Sequence, residues 1–143
     1  MKIGLDVDNT ITKFPKVFSE LSYVVKKDGG QVHIVTSRSD DEIARVGTIK
    51  ELKEYNIIYD RLFFLPGYAQ ASLNCPHKEL DWYQKYLWQK VDYCLKNTMD
   101  TFVDDDEKVI SLFKTYAPSI KIFYPNESVE FHKKTRSTPF LRT

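Results

Sequence analysis

Apolar positions along the chain fall into short runs separated by longer helical stretches. Lys2 to Leu5 reads as a short buried strand, cut off by an acidic run from Asp6. From Lys13 to Lys27, Phe14, Val17, Phe18, Leu21, Val24 and Val25 recur at helical spacing, and Asp28-Gly29-Gly30 ends the helix they predict. Gln31 to Val35 is β-branched and predicts a second strand. Ser39 with Glu42 has capping-box spacing and predicts a helix to about Tyr55. Leu62 to Leu65 predicts a third strand. Pro66 to Lys78, broken by Gly67, Asn74 and Pro76, predicts irregular chain. Glu79 to Leu95 predicts a helix, with Leu80, Tyr83, Leu87, Val91 and Leu95 along one face. Thr101 to Val103 predicts a fourth strand, stopped by Asp104-Asp105-Asp106; Glu107 to Tyr116 then predicts a helix and Ile120 to Tyr124 a fifth strand.

Strands that alternate with helices predict an α/β fold: a three-layer, Rossmann-like parallel sheet of five core strands with helices on both faces. The pattern occupies residues 1–125 as one domain, and residues 126–143 form a polar, basic extension. A chain of 143 residues can bury a core without disulfides. Its two cysteines, Cys75 and Cys94, have no partner at metal-ligand spacing. A net charge of +1 gives no global pull towards nucleic acid or an anionic membrane. The segment Met1 to Thr10 is acidic where a signal peptide is basic and then apolar, and no apolar run approaches the ~20 residues a bilayer requires. A cytoplasmic protein is expected.

Chemistry concentrates at predicted strand ends. Asp6 and Asp8 follow the first strand with an apolar residue between them, and period-two alternation predicts that both point the same way. The carboxyl edge of an open parallel sheet is where ligands bind. Asp104, Asp105 and Asp106 end the fourth strand in the same manner. Two acidic strand ends at one edge repel each other, and a hard cation such as magnesium relieves that with oxygen ligands. A lone aspartate there is more often a helix cap; aspartates at two strand ends weaken that alternative. Thr36-Ser37-Arg38 follows the second strand and offers hydroxyls to a phosphoryl oxygen. Lys90, upstream of the acidic triplet, offers a positive charge, with Lys85 and Lys96 as competitors on the same helix.

These segments together resemble the haloacid dehalogenase-like phosphatases. Asp6-Val7-Asp8-Asn9-Thr10 is similar to that family's first motif, Val35-Thr36 to its second, Lys90 to its third and Phe102-Val103-Asp104-Asp105-Asp106 to its fourth. The resemblance spans residues 1 to about 125, and its fit is best to the nucleotidase-like branch. It implies a magnesium-dependent phosphomonoesterase. Asp6 would be the nucleophile that becomes an aspartyl phosphate, and Asp8 the general acid and then base. Thr36, Ser37 and Lys90 would hold the phosphate. Asp6, Asp8 (through its backbone carbonyl), Asp104 and Asp105 would hold Mg2+, with Asp106 an alternative ligand. It also implies a sheet with strand one between strands two and four.

Many relatives carry a cap domain, but only Pro66 to Lys78 is left over here, so no true cap is expected. An open site admits large substrates such as nucleic-acid ends or phosphoproteins and does not exclude small ones. A nucleotide or other phosphate monoester is the expected substrate, with a polynucleotide end or other macromolecule as the alternative. A phosphate-binding module without catalysis is the non-enzymatic alternative. Tyr68, Trp82 and Trp88 could stack on a base, though packing is the commoner use of such residues. His33 is expected to pack within its strand, while His77 and His132 show no partners. Lys133, Lys134, Arg136 and Arg142 make the extension basic. The pattern fixes no oligomeric state.

Overall fold

The computed structural model describes residues 1–125. Five strands form one sheet: β1 (Lys2–Leu5), β2 (Gln31–Thr36), β3 (Arg61–Phe64), β4 (Thr101–Val103) and β5 (Lys121–Phe123). All neighbours are parallel, in the order β3-β2-β1-β4-β5. Between them run α1 (Pro15–Lys27), α2 (Glu42–Glu54), α3 (Tyr68–Asn74), α4 (Trp82–Lys96) and α5 (Glu107–Tyr116). The expected three-layer α/β/α fold is present, and β1 lies between β2 and β4.

Parallel strands covered on both faces need apolar residues on both sides. Ile3, Leu5, Ile34 and Leu52 build one layer with Phe18 and Val25 of α1. Leu87, Val91, Phe102, Leu112 and Phe113 build the other, beneath α4 and α5. Phe102 stacks on Phe113 with centroids 5.0 Å apart. Gly4 permits this packing, because a Cβ there would come within 2.5 Å of the Phe102 ring. Cys75 and Cys94 are free and buried in the second layer. Among the described residues no helix is long and apolar enough to cross a membrane.

Several expectations need correction. Pro66 to Lys78 is not wholly irregular, since it contains α3. Helix α2 is capped by Asp41, whose side chain accepts from the Ala44 N–H, and not by Ser39. On α4 the buried face runs through Leu87, Lys90, Val91 and Cys94, while Leu95 is exposed. Asp81 and Gln84 form a capping box that starts α4. His77 has partners: it stacks on Tyr116 at 3.9 Å and lies 3.9 Å from the Glu79 carboxylate. His33 packs as expected, with Nδ1 2.8 Å from the Tyr93 hydroxyl. His132 and the basic residues of the extension lie outside the described residues.

Candidate active site

Register sets the site. Leu5 of β1 pairs with Val103 of β4, so Asp6 and Asp104 are each the first residue past adjacent strand ends. The Asp6 N–H still donates to the Val103 carbonyl at 3.0 Å. Both aspartates are therefore held by sheet geometry. The chain then turns through Asn9, whose φ of 60° is a left-handed conformation that asparagine tolerates better than most residues.

From the other side Lys90 reaches in from the middle of α4. It is only 2% exposed, and its ammonium donates to Asp6 Oδ1 at 2.9 Å and to Asp104 Oδ2 at 2.7 Å. Thr10 donates to the remaining Asp6 oxygen at 3.0 Å. The Asp106 N–H donates to the other Asp104 oxygen at 2.9 Å. Asp105 completes the group: carboxylate oxygens of Asp6, Asp104 and Asp105 all lie within 4.8 Å of one another.

The charges do not balance. Three carboxylates cluster where one ammonium pairs with two of them. Burial alone would lower the Lys90 pKa, but the Asp6 and Asp104 carboxylates overcome that and hold it above its ordinary value. Burial, with the neighbouring Asp6 charge, pushes Asp104 up to about 6. Asp105 is pushed up to about 7 by burial and by its hydrogen bond and charge contact with Asp6. A divalent cation would remove this surplus, and an all-oxygen donor set suits a hard one. The three aspartates could therefore hold a metal ion.

Asp8 behaves differently from Asp6. Both line one cavity of about 480 Å³, together with Ser37, Leu87, Lys90 and Asp104. The Asp8 side chain, however, is 56% exposed and lies outside the three-carboxylate group. Both side chains thus reach one cavity, but only Asp6 joins the carboxylate group, because the strand stops at Leu5 and the chain turns at Asp8 and Asn9. Arg38 holds the Asp8 carboxylate instead, from Nε at 3.0 Å and Nη2 at 2.8 Å. The same guanidinium reaches Thr48 at 3.0 Å and Glu51 at 2.8 Å on α2.

Thr36 and Ser37 also part company. Thr36 is fully buried, and its hydroxyl oxygen accepts the Arg38 N–H at 3.1 Å. Ser37 is exposed on the cavity wall. Asp106 caps α5 by accepting the Lys108 N–H; it lines the cavity but is not one of the three clustered carboxylates. Lys96 pairs with Asp92 on the exposed side of α4, and Lys85 does not line the cavity.

No family model matches the chain, and no curated protein does so either. Solved structures do share the fold. A chain in the structure of the Pnkp1/Rnl/Hen1 RNA repair complex superposes with a TM-score of 0.57 at 16% identity, over 87% of this chain and 42% of that one. A chain in a second structure of the Pnkp1/Rnl/Hen1 complex gives 0.58 at 16% identity, over 87% and 46%. The protein thus spans less than half the length of the chains it matches. Likeness at this identity shows the fold alone.

Sequence reasoning passed over three residues that the geometry brings forward. Thr10 orients Asp6, and its position four residues after the first aspartate was the available signal. Arg38 holds Asp8, although a single arginine after a strand gave no sign of its partner. Tyr86 donates to the Ser37 carbonyl at 2.9 Å, a contact across 49 positions that no local pattern encodes.

Proposed function

We propose that the protein is a magnesium-dependent phosphomonoesterase with Asp6 as nucleophile. The observation that carries this reading is the clustering of the Asp6, Asp104 and Asp105 carboxylates at the carboxyl edge of the sheet, with the buried Lys90 ammonium bridging Asp6 and Asp104. A capping role would not gather three carboxylates and bury an ammonium between two of them.

Asp6, Asp104 and Asp105 would hold the ion, with the Asp8 backbone carbonyl as a further ligand. Bound there, magnesium supplies positive charge to the phosphoryl oxygens and shields the anionic nucleophile from the anionic substrate. The protein's own residues supply the rest. Thr10 and Lys90 fix the two Asp6 oxygens, so the attacking atom has one orientation. The Asp6 carboxylate forms a bond to phosphorus while the ester oxygen leaves, taking a proton from Asp8. Water then attacks phosphorus with Asp8 as base, and the bond between Asp6 and phosphorus breaks to release inorganic phosphate. Lys90 and Ser37 face the transferred group, with Thr36 behind Ser37 shaping the turn. Arg38 positions Asp8 by donating to both of its carboxylate oxygens.

A phosphorylated small molecule, a nucleotide among them, is the substrate class we favour. The same chemistry on a nucleic-acid end is the second reading. It is favoured by the open cleft and by fold neighbours drawn from an RNA repair complex. Hydrolysis of an aryl phosphate tests the first claim. Turnover is expected with magnesium and is expected to disappear with a chelator. Activity that survives chelation contradicts the reading.

A further inference from the structure

We propose that Tyr68 and Trp82 form a stacking platform for the base of a phosphorylated nucleoside whose phosphate enters the Asp6–Lys90–Asp104 site. The proposal rests on reading that site as a phosphatase centre, and it names the substrate class.

Large aromatic side chains usually bury their rings. Trp88 does so, but Trp82 is 62% exposed and Tyr68 is 48% exposed. The two exposed rings touch edge to face, with centroids 4.9 Å apart. Each is backed by a further ring: Tyr68 lies 4.4 Å from Tyr86, and Trp82 lies 5.7 Å from Tyr83. They begin the two consecutive helices α3 and α4. A ring braced in this way loses little freedom when a base settles on it. Every nucleobase has a π-face, so such a surface binds bases of any sequence.

Placement ties the platform to the phosphate site. Trp82 is the first residue of α4, and Lys90 follows eight residues later, about 12 Å along the axis. Tyr83, Leu87 and Lys90 share one face of that helix, and Leu87 and Lys90 line the cavity. Two contacts join the backing rings, Tyr86 and Tyr83, to the cavity wall. Tyr86 donates to the Ser37 carbonyl, and the Lys108 ammonium sits 5.1 Å from the Tyr83 ring centre. Ser37 and Lys108 both line the cavity. Phosphate at Lys90 and base at the start of α4 is an order that matches a nucleoside phosphate. Lys108 adds positive charge beside the path.

The shared chemistry is a nucleobase tethered to a phosphate, on a free nucleotide or on a strand end. Binding to the Asp6→Asn protein with magnesium, measured by calorimetry, reads it without turnover. The probes are adenosine monophosphate, a short phosphate-terminated oligonucleotide and inorganic phosphate. Trp82→Ala is expected to lower the ratio of nucleotide to inorganic-phosphate affinity by roughly five- to a hundredfold. Trp82→Phe, which keeps a π-face, is expected to restore most of it. A drop confined to the oligonucleotide assigns the strand end, and a drop for both assigns the nucleotide. A ratio that moves less than about twofold overturns the platform, as does a parent protein with no preference for nucleotide over phosphate. The same ratio taken from kcat/KM on the otherwise unaltered protein, with glycerol phosphate as the base-free substrate, guards against a misfolded double variant. If nothing is hydrolysed but the binding ratio falls, the phosphatase reading fails and the platform stands. If hydrolysis occurs and the ratio is unmoved, the reverse holds.

Discussion

Without its ammonium, Lys90 would leave Asp6 and Asp104 buried as adjacent anions. Removing one partner of a buried ion pair destabilises by about 3–5 kcal/mol, more than the pair itself contributes. Lys90→Met is therefore expected to lower unfolding stability by about that amount in metal-free buffer, measured by urea denaturation. A change below about 0.5 kcal/mol would show that Lys90 is not paired as described. The carboxyls make a second residue-scale prediction. Asp104 and Asp105 ordinarily titrate at 3.8 but are raised to about 6 and about 7 in the fold. A carboxyl raised on folding binds its proton more tightly in the folded state. It costs no stability below about pH 4 and destabilises progressively as pH rises towards 7. A bound cation reverses that cost. The rise in Tm produced by magnesium should thus grow between about pH 5 and pH 8. A magnesium shift that stays constant over that window contradicts the site.

At the scale of elements, periodicity and turn residues gave the sheet and most helices correctly. Five strands and α5 were legible because buried parallel strands read as short apolar runs bounded by polar breaks. Helix α3 was not, because its seven residues hold no apolar repeat and are flanked by Gly67 and Pro76. Of the expected α4 face, Leu80, Tyr83, Leu87 and Val91 pack in or against the core, and only Leu95 is exposed. Lys90 is buried in the middle of that helix, and a hydropathy pattern treats every lysine as outward-facing. The pairing of Asp6 with Asp104 was legible only through the resemblance, since strand order cannot be read from local pattern. The separation of Asp8 from Asp6 was not legible, because alternation ceases where the strand stops at Leu5. Ser37, in place of Thr36, reaches the cavity for the same reason: β2 extends through Thr36 and buries it.

For the whole molecule, the described residues place a buried, charged group beneath an exposed edge of the cleft. Asp6 and Asp104 line the cleft and are almost fully buried, while Asp8 and Ser37 line it and are exposed. The deep part would bind charge, and the open part would accept groups of varied size. Everything in this account turns on Asp6 forming a covalent bond to phosphorus. The direct measurement is acid-quenched mass spectrometry of the protein during turnover of an aryl phosphate with magnesium. The account predicts one added phosphoryl group on the Ile3–Lys13 peptide, carried by Asp6 and absent in Asp6→Asn, together with a loss of turnover of at least about 10³-fold in that variant. Turnover at an undiminished rate in Asp6→Asn, or a phosphoryl group found on another residue, would contradict it.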